Sequence, residues 1–260
     1  MNTELIRKLG IIFSSYGTPD YNEKSLKPWL NRDNCVISAC SYRFKGFKGE
    51  DNKPNLENLT LLAANNNNLI LFCDEKQLLP EHEARNKGLN HLLRNNCDVI
   101  LILDSDEFYT LDQANFIFDI INNPDFADNA WYSIHFKNYV FDNKRWMSGF
   151  CPPRLFNVKY FGNVLCEFYW DNDVVYKVDN AYLESKIDYK QLPHGEIDKD
   201  KLHVKHLTWI DSERTKKKVA YQRMHFGRCS FIYNGEGKLI FDENYYKSMN
   251  QPIPEVFTDE

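Results

Sequence analysis

The sequence predicts an α/β protein built on an open, doubly wound, mostly parallel sheet. Three observations carry that expectation. Strand and helix patterns alternate four times in the first 120 or so residues. The strands read as continuous apolar runs, the pattern of burial on both faces. "VILIL" at 99–103 ends abruptly on acids, "DSDE", at 104–107.

The elements follow in order. "LGIIFSSYG" reads as a first strand ending in small polar residues, and "YNEKSLKPWLNR" as a helix with Leu26, Trp29 and Leu30 on one face. "NCVISACSY" is a second strand. "RFKGFKGEDNKPN", rich in glycine and charge, predicts a loop before a helix around "LENLTLLAANN". "NLILFCD" is the third strand. A helix opens at Pro80, with Glu81 and Glu83 at its positive end, Ala84, Gly88, Leu89, Leu92 and Leu93 at helical spacing, and Arg94 near its close. "DVILIL" is the fourth strand, and Thr110 with Gln113 forms a capping box for the helix "LDQANFIFDIIN".

Beyond Asn122 the regularity stops. "AWYSIHFKNYVFD" and "RWMSGFCPPRLFN" read as alternating strands and turns, and "KYFGNVLCEFYWDNDVVYKV" as an aromatic-rich region of no clear order. "KLHVKHLTWIDSERTKKKVAYQRMHFG" reads as a short strand running into a basic helix. At 260 residues the expectation is a single domain, 1–260, with a regular half at 8–123 and an irregular half at 124–260.

Composition excludes some classes. A net charge of −5, with basic and acidic residues mixed along the chain, gives no nucleic-acid footprint. The seven cysteines are odd in number and lack CxxC spacing, which predicts reduced, buried thiols rather than a disulfide frame or a zinc site. The first residues lack the apolar core of a signal peptide, and no stretch reaches membrane length, so a cytoplasmic location is expected. The aromatic content of 15% fits either an aromatic core or flat surfaces for sugars or peptides.

The acids at the strand end are the chemical signal. In open α/β sheets, ligands bind beyond the carboxyl ends of the strands. Asp104 and Asp106, one residue apart at such an end, supply hard oxygens suited to Mg²⁺ or Mn²⁺, and a cation offsets the cost of their desolvation. D-x-D alone says little, since chance gives about one in a chain of this size. The helix before it adds the context.

The stretch "EHEARNKGLNHLLRNNCDVILILDSDEFYT" resembles the nucleotide-sugar half of GT-A glycosyltransferases, above all the inverting family 2 group. The resemblance spans residues 8–123 and weakens afterwards. It implies a metal-dependent transfer of a sugar from a nucleoside-diphosphate sugar to a hydroxyl acceptor, with inversion, the irregular half carrying the acceptor contacts. It further implies that Asp106 ligates the metal directly, that Asp104 meets the ribose or the metal through water, and that Arg85 faces the donor. Ser14, Ser15 and Tyr16 occupy the nucleoside position. The acid that usually ends the second strand is missing from "SACSYRF", which leaves the base open.

The resemblance also directs attention to a late histidine as a further metal ligand; of His203 and His206, His206 is preferred because an apolar, aromatic segment follows it. For the base that takes the acceptor proton, the candidates are Glu167, Asp171 and Asp173, with Asp171 preferred, and Phe168, Tyr169 and Trp170 as a sugar-stacking wall. Arg154 in "PPRLFN" is similar to a family segment near the acceptor; a plain turn is the alternative. Arg214, Lys216, Lys217, Lys218 and Arg223 either screen a leaving diphosphate or form a solvated helix face. Glu107 is unassigned, tuning the site or facing water.

Three rival classes remain. A haloacid-dehalogenase-type phosphatase also places D-x-D after an apolar strand, but Phe108 stands where that family has Thr or Val. A nucleotidyltransferase would carry a basic, glycine-rich loop where "SSYGTPDY" stands. The third is a non-catalytic carbohydrate-binding protein with structural calcium.

Overall fold

The computed structural model describes residues 6–15, 17–41, 52–72, 81–161, 165–169, 174–178, 192–210 and 212–259. The chain forms two compact units, one of residues 1–134 and 152–202, the other of 135–151 and 203–260.

The first unit is built on alternating strands and helices: β1 (Leu9–Ser15), α1 (Pro19–Leu26), β2 (Cys35–Ser41), α2 (Lys53–Asn65), β3 (Leu69–Phe72), α3 (Glu81–Arg94) and β4 (Val99–Asp104). The strands β3, β2, β1 and β4 lie side by side and parallel. Every residue of β1 is buried, as are the first five of β4, because helices cover both faces. Leu89 and Leu92 of α3 seat on Ile12, Ile100 and Ile102, each burial worth about 1.5–3 kcal/mol. Gly88 brings this helix close to β2: a Cβ there would lie 3.0 Å from Cys40 Sγ and 3.3 Å from Ser38 Cβ. α1 ends at Leu26, short of the predicted span, yet Leu26 and Trp29 both reach the core as expected.

A two-residue strand β5 (Glu107–Phe108) leads to α4 (Leu111–Asn122). Its capping box is formed in full: Thr110 Oγ1 accepts from Gln113 N at 3.2 Å, and Gln113 Oε1 accepts from Thr110 N at 2.9 Å.

A 3₁₀ turn at Pro124–Asp128 precedes β6 (Trp131–Ser133), and the chain then enters the second unit for β7 (His135–Phe141) and β8 (Arg145–Phe150). It returns as β9 (Pro153–Asn157), which pairs antiparallel with both β4 and β6. The first unit closes with α5 (Val158–Phe161), the hairpin β10 (Leu165–Tyr169) and β11 (Val174–Val178), and β12 (His194–Glu196). Its main sheet has the order β12-β6-β9-β4-β1-β2-β3, parallel on one side and mixed on the other.

In the second unit, β13 (His203–Ile210) pairs parallel with β7, and β8 antiparallel with β7. The basic helix α6 (Glu213–Phe226) starts at Ser212, whose hydroxyl caps Thr215 N at 3.2 Å, and ends at Gly227 in the left-handed region. β14 (Phe231–Tyr233) and β15 (Leu239–Phe241) form a hairpin, followed by α7 (Glu243–Ser248) and β16 (Phe257–Thr258) on β8. Val140, Trp209, Val219, Phe231 and Leu239 make this unit's core.

The cysteines Cys35, Cys40, Cys97, Cys151 and Cys229 are free thiols, all but Cys151 buried. Burial pushes the Cys97 thiol up to about 12 and raises Cys35 and Cys229 as well. Among the described residues no helix is long and apolar enough to cross a membrane.

Candidate active site at the end of β4

Asp104 is the last residue of β4, beside Ser14 of β1 in the parallel ladder. From α3, Arg85 reaches both strand ends: its Nε donates to Ser14 Oγ at 3.0 Å and an Nη to Asp104 Oδ1 at 2.6 Å. Arg85 is therefore aimed at the ends of these two strands.

A second arginine enters from the other side. β9 runs antiparallel to β4, with Leu155 opposite Leu101, so the start of β9 lies beside the end of β4. There Arg154 donates to Glu107 Oε1 from Nε at 3.1 Å and from an Nη at 2.5 Å; the same Nη stands 3.4 Å from Asp104 Oδ2. The plain-turn reading of Arg154 is thereby corrected, because a buried guanidinium needs acids and these acids need it. Glu107 does not face water. It is fully buried, its Oε2 accepts from Asp104 N at 3.4 Å, and its own carbonyl accepts from Ser25 Oγ at 2.8 Å.

Burial pushes the Glu107 carboxyl up to about 8, against the pull of Arg154 and with the push of Asp104 and Asp106. Burial weighs against the charged Arg154, but Glu107 and Asp104 outweigh it and raise its value overall. Asp106, in the turn between β4 and β5, is 5% exposed, whereas the Asp104 side chain is 25% exposed.

Beneath these charges lies a neutral frame. Ser15 Oγ is 2.5 Å from Asn22 Oδ1 and 2.9 Å from Asn55 Oδ1; Asn22 Nδ2 donates to Asn55 Oδ1 at 3.0 Å, and Asn55 Nδ2 to Ser41 Oγ at 2.9 Å. Thr18 Oγ1 meets Ser105 Oγ at 2.7 Å, and Ser105 N donates to Ser14 O at 2.9 Å. The two serines at the end of β1 thus differ: Ser14 receives Arg85, while Ser15 ties α1 and α2 to the strand.

His206 lies in the second unit on β13 and is buried. Its Nδ1 is 2.6 Å from Asn138 Oδ1, and the Phe136 and Phe150 rings flank it. On α6, Lys216 pairs with Glu213 at 2.6 Å and the Lys218 ammonium sits 4.5 Å from the Trp209 ring centroid. Tyr16, Asp171, Asp173 and Trp170 fall outside the described residues. Glu167, Phe168 and Tyr169 lie on β10, whose side chains also fall outside.

Sequence reasoning overlooked Asn22, Asn55, Thr18 and Ser105 and left Glu107 without a role. Nothing local marked Glu107 or Arg154 as partners, since the two come from stretches 47 residues apart.

No family model matches the chain, and no curated protein does. Among solved structures, 106 chains match. The mannosyltransferase PcManGT from Pyrobaculum calidifontis, in complex with GDP-Man and Mn²⁺, superposes with a TM-score of 0.51 at 12% identity, over 86% of this chain and 63% of that one. The chain thus spans less than two thirds of that enzyme's length. S. aureus TarS 1–349, in complex with UDP, matches at a TM-score of 0.46 and 14% identity over 85% of this chain and 72% of that one. The fold is the GT-A type, a mostly parallel sheet flanked by helices, shared with the mannosyltransferase.

Proposed function

We propose that the chain is a metal-dependent glycosyltransferase that moves a sugar from a nucleoside-diphosphate sugar to a hydroxyl acceptor, with inversion. The single observation that carries this reading is Asp104 at the end of β4, joined to Ser14 of β1 through Arg85 and followed two positions later by Asp106. The GT-A fold supports it, since the acids stand at the strand ends where such sheets bind ligands.

The donor set fits a hard divalent cation, Mn²⁺ or Mg²⁺. Each Asp104 oxygen already faces a guanidinium, so a cation beside it would meet two positive neighbours. Asp106 is therefore the direct ligand in this reading, with Asp104 placed for the donor ribose or a metal-bound water. When bound, the cation supplies charge neutralisation for the departing diphosphate. Arg85 holds Asp104 and Ser14 in place for the donor, and the stretch Ser14, Ser15 and Tyr16 is assigned to the nucleoside, Ser15 through its hold on the strand end. Residues 8–123 bind the donor and 124–260 the acceptor. Asp171, or Glu167, takes the proton from the acceptor hydroxyl as it attacks the sugar carbon.

The grip of two arginines on Asp104 disfavours the phosphatase alternative, because a nucleophilic aspartate needs an oxygen unencumbered by strong donors.

The test is release of nucleoside diphosphate from UDP-, GDP- and dTDP-sugars by the purified protein, with Mn²⁺ and with chelator. Metal-dependent release from one of them is the expected result. Release of inorganic phosphate alone, or sugar binding without turnover, would select a rival class.

A further inference from the structure

We propose that Glu107 and Arg154 form a buried strut that sets the aim of the Asp104 carboxylate, and with it the site's affinity for a nucleoside diphosphate bound together with its divalent cation. The inference rests on the glycosyltransferase reading and adds to it two positioning residues, neither of which touches the donor.

The geometry is specific. Three N–H groups converge on the two Glu107 carboxyl oxygens: Nε and an Nη of Arg154 on Oε1, at 3.1 and 2.5 Å, and the Asp104 backbone N–H on Oε2, at 3.4 Å. The Arg154 Nη that grips Glu107 also stands 3.4 Å from Asp104 Oδ2. Glu107 thereby holds Asp104 twice, once by its backbone and once by its side chain through the arginine. Ser25 Oγ, donating to the Glu107 carbonyl at 2.8 Å, ties the turn to α1. With Arg85 on Oδ1, Asp104 is clamped on both oxygens and at its amide.

Exposure separates the roles. The Glu107 side chain is 0% exposed and that of Arg154 11%, against 25% for Asp104, so only Asp104 presents itself outward. Stability is a poor reason to keep such a pair, since apolar replacements of buried ion pairs are often neutral or stabilising. Outer partners that orient a ligand-binding carboxylate are a better one, and their loss typically costs about 10- to 100-fold in affinity or activity.

Two variants of the full chain test this. Glu107→Gln keeps the shape but offers one acceptor oxygen instead of two; Arg154→Lys keeps the charge but loses the two-nitrogen grip. Calorimetric titration with UDP and with GDP, each in Mn²⁺, well below the melting temperature, reads the effect. We expect a native circular-dichroism spectrum in both variants, a Kd raised about 10- to 100-fold, and a parallel rise in the Mn²⁺ concentration for half-maximal binding. Unchanged affinity in either folded variant overturns the strut while the functional reading stands. Failure of both variants to fold makes the pair a stability element and overturns the positioning role. If the unsubstituted protein binds neither nucleotide, the glycosyltransferase reading itself falls, and the strut falls with it.

Discussion

Arg85 donates to Asp104 Oδ1 across 2.6 Å, bridging a helix and the strand end that follows it nineteen residues later in the chain. The side chains of both are largely shielded from solvent, Arg85 at 9% and Asp104 at 25% exposure, so the contact is not screened as a surface pair would be. Replacing Arg85 with Met leaves Asp104 without one of its two cations. A loss of about 1–3 kcal/mol is expected in chemical denaturation, with Arg85→Lys recovering part of it.

Asp106→Ala separates chemistry from fold. A native circular-dichroism spectrum is the control for the fold, since the side chain is buried. Metal-dependent turnover should fall about 100-fold or more, since even indirect partners of a metal cost 10- to 100-fold. Retained turnover in a sugar-nucleotide hydrolysis assay would remove Asp106 from the site.

The capping box at α4 gives a local test. Thr110→Ala removes the acceptor for Gln113 N and should cost about 1 kcal/mol, read as a lower denaturation midpoint with an unchanged slope.

Gly88 tests the seating of α3 on β2. Leucine there would drive carbon atoms into Cys40 and Ser38, with an expected loss of about 1–3 kcal/mol. Because Arg85 stands one turn earlier on the same helix, donor binding should weaken in step with the packing, measurable as a higher KM.

His91 sets a pH dependence. Burial, and then the Arg94 charge, lower its pKa from the ordinary 6.5. The folded protein therefore binds less proton at this site than the unfolded chain does. The resulting contribution is present above pH 6.5 and is lost as pH falls below it toward the lowered folded value. Denaturation midpoints measured between pH 7.5 and 5 should drop, and His91→Gln should flatten that part of the slope.

Much of the parallel half of the sheet was legible because local rules and tertiary context agree there. β4 is apolar at its first five positions since helices cover both faces, and the Thr110–Gln113 box closes as its spacing requires. The insertion of β9 between β4 and β6 was not legible: "PPRLFN" carries no sign of its partners, and antiparallel pairing to a strand some fifty residues earlier is a tertiary outcome. Glu107 was opaque for the same reason, since the arginine that makes its burial tolerable comes from that insertion. Asn22 and Asn55 went unmarked, because nothing local marks a polar residue whose partner lies in another helix.

The amides and hydroxyls around Ser15 are uncharged at every pH the protein meets. Ions in solution screen the approach of a charged ligand to the arginines and acids above them but leave this neutral lattice untouched. Raising the ionic strength should therefore loosen the grip on a charged ligand long before it shifts the strand ends that carry the carboxylates, so that binding and architecture respond to salt on separate scales.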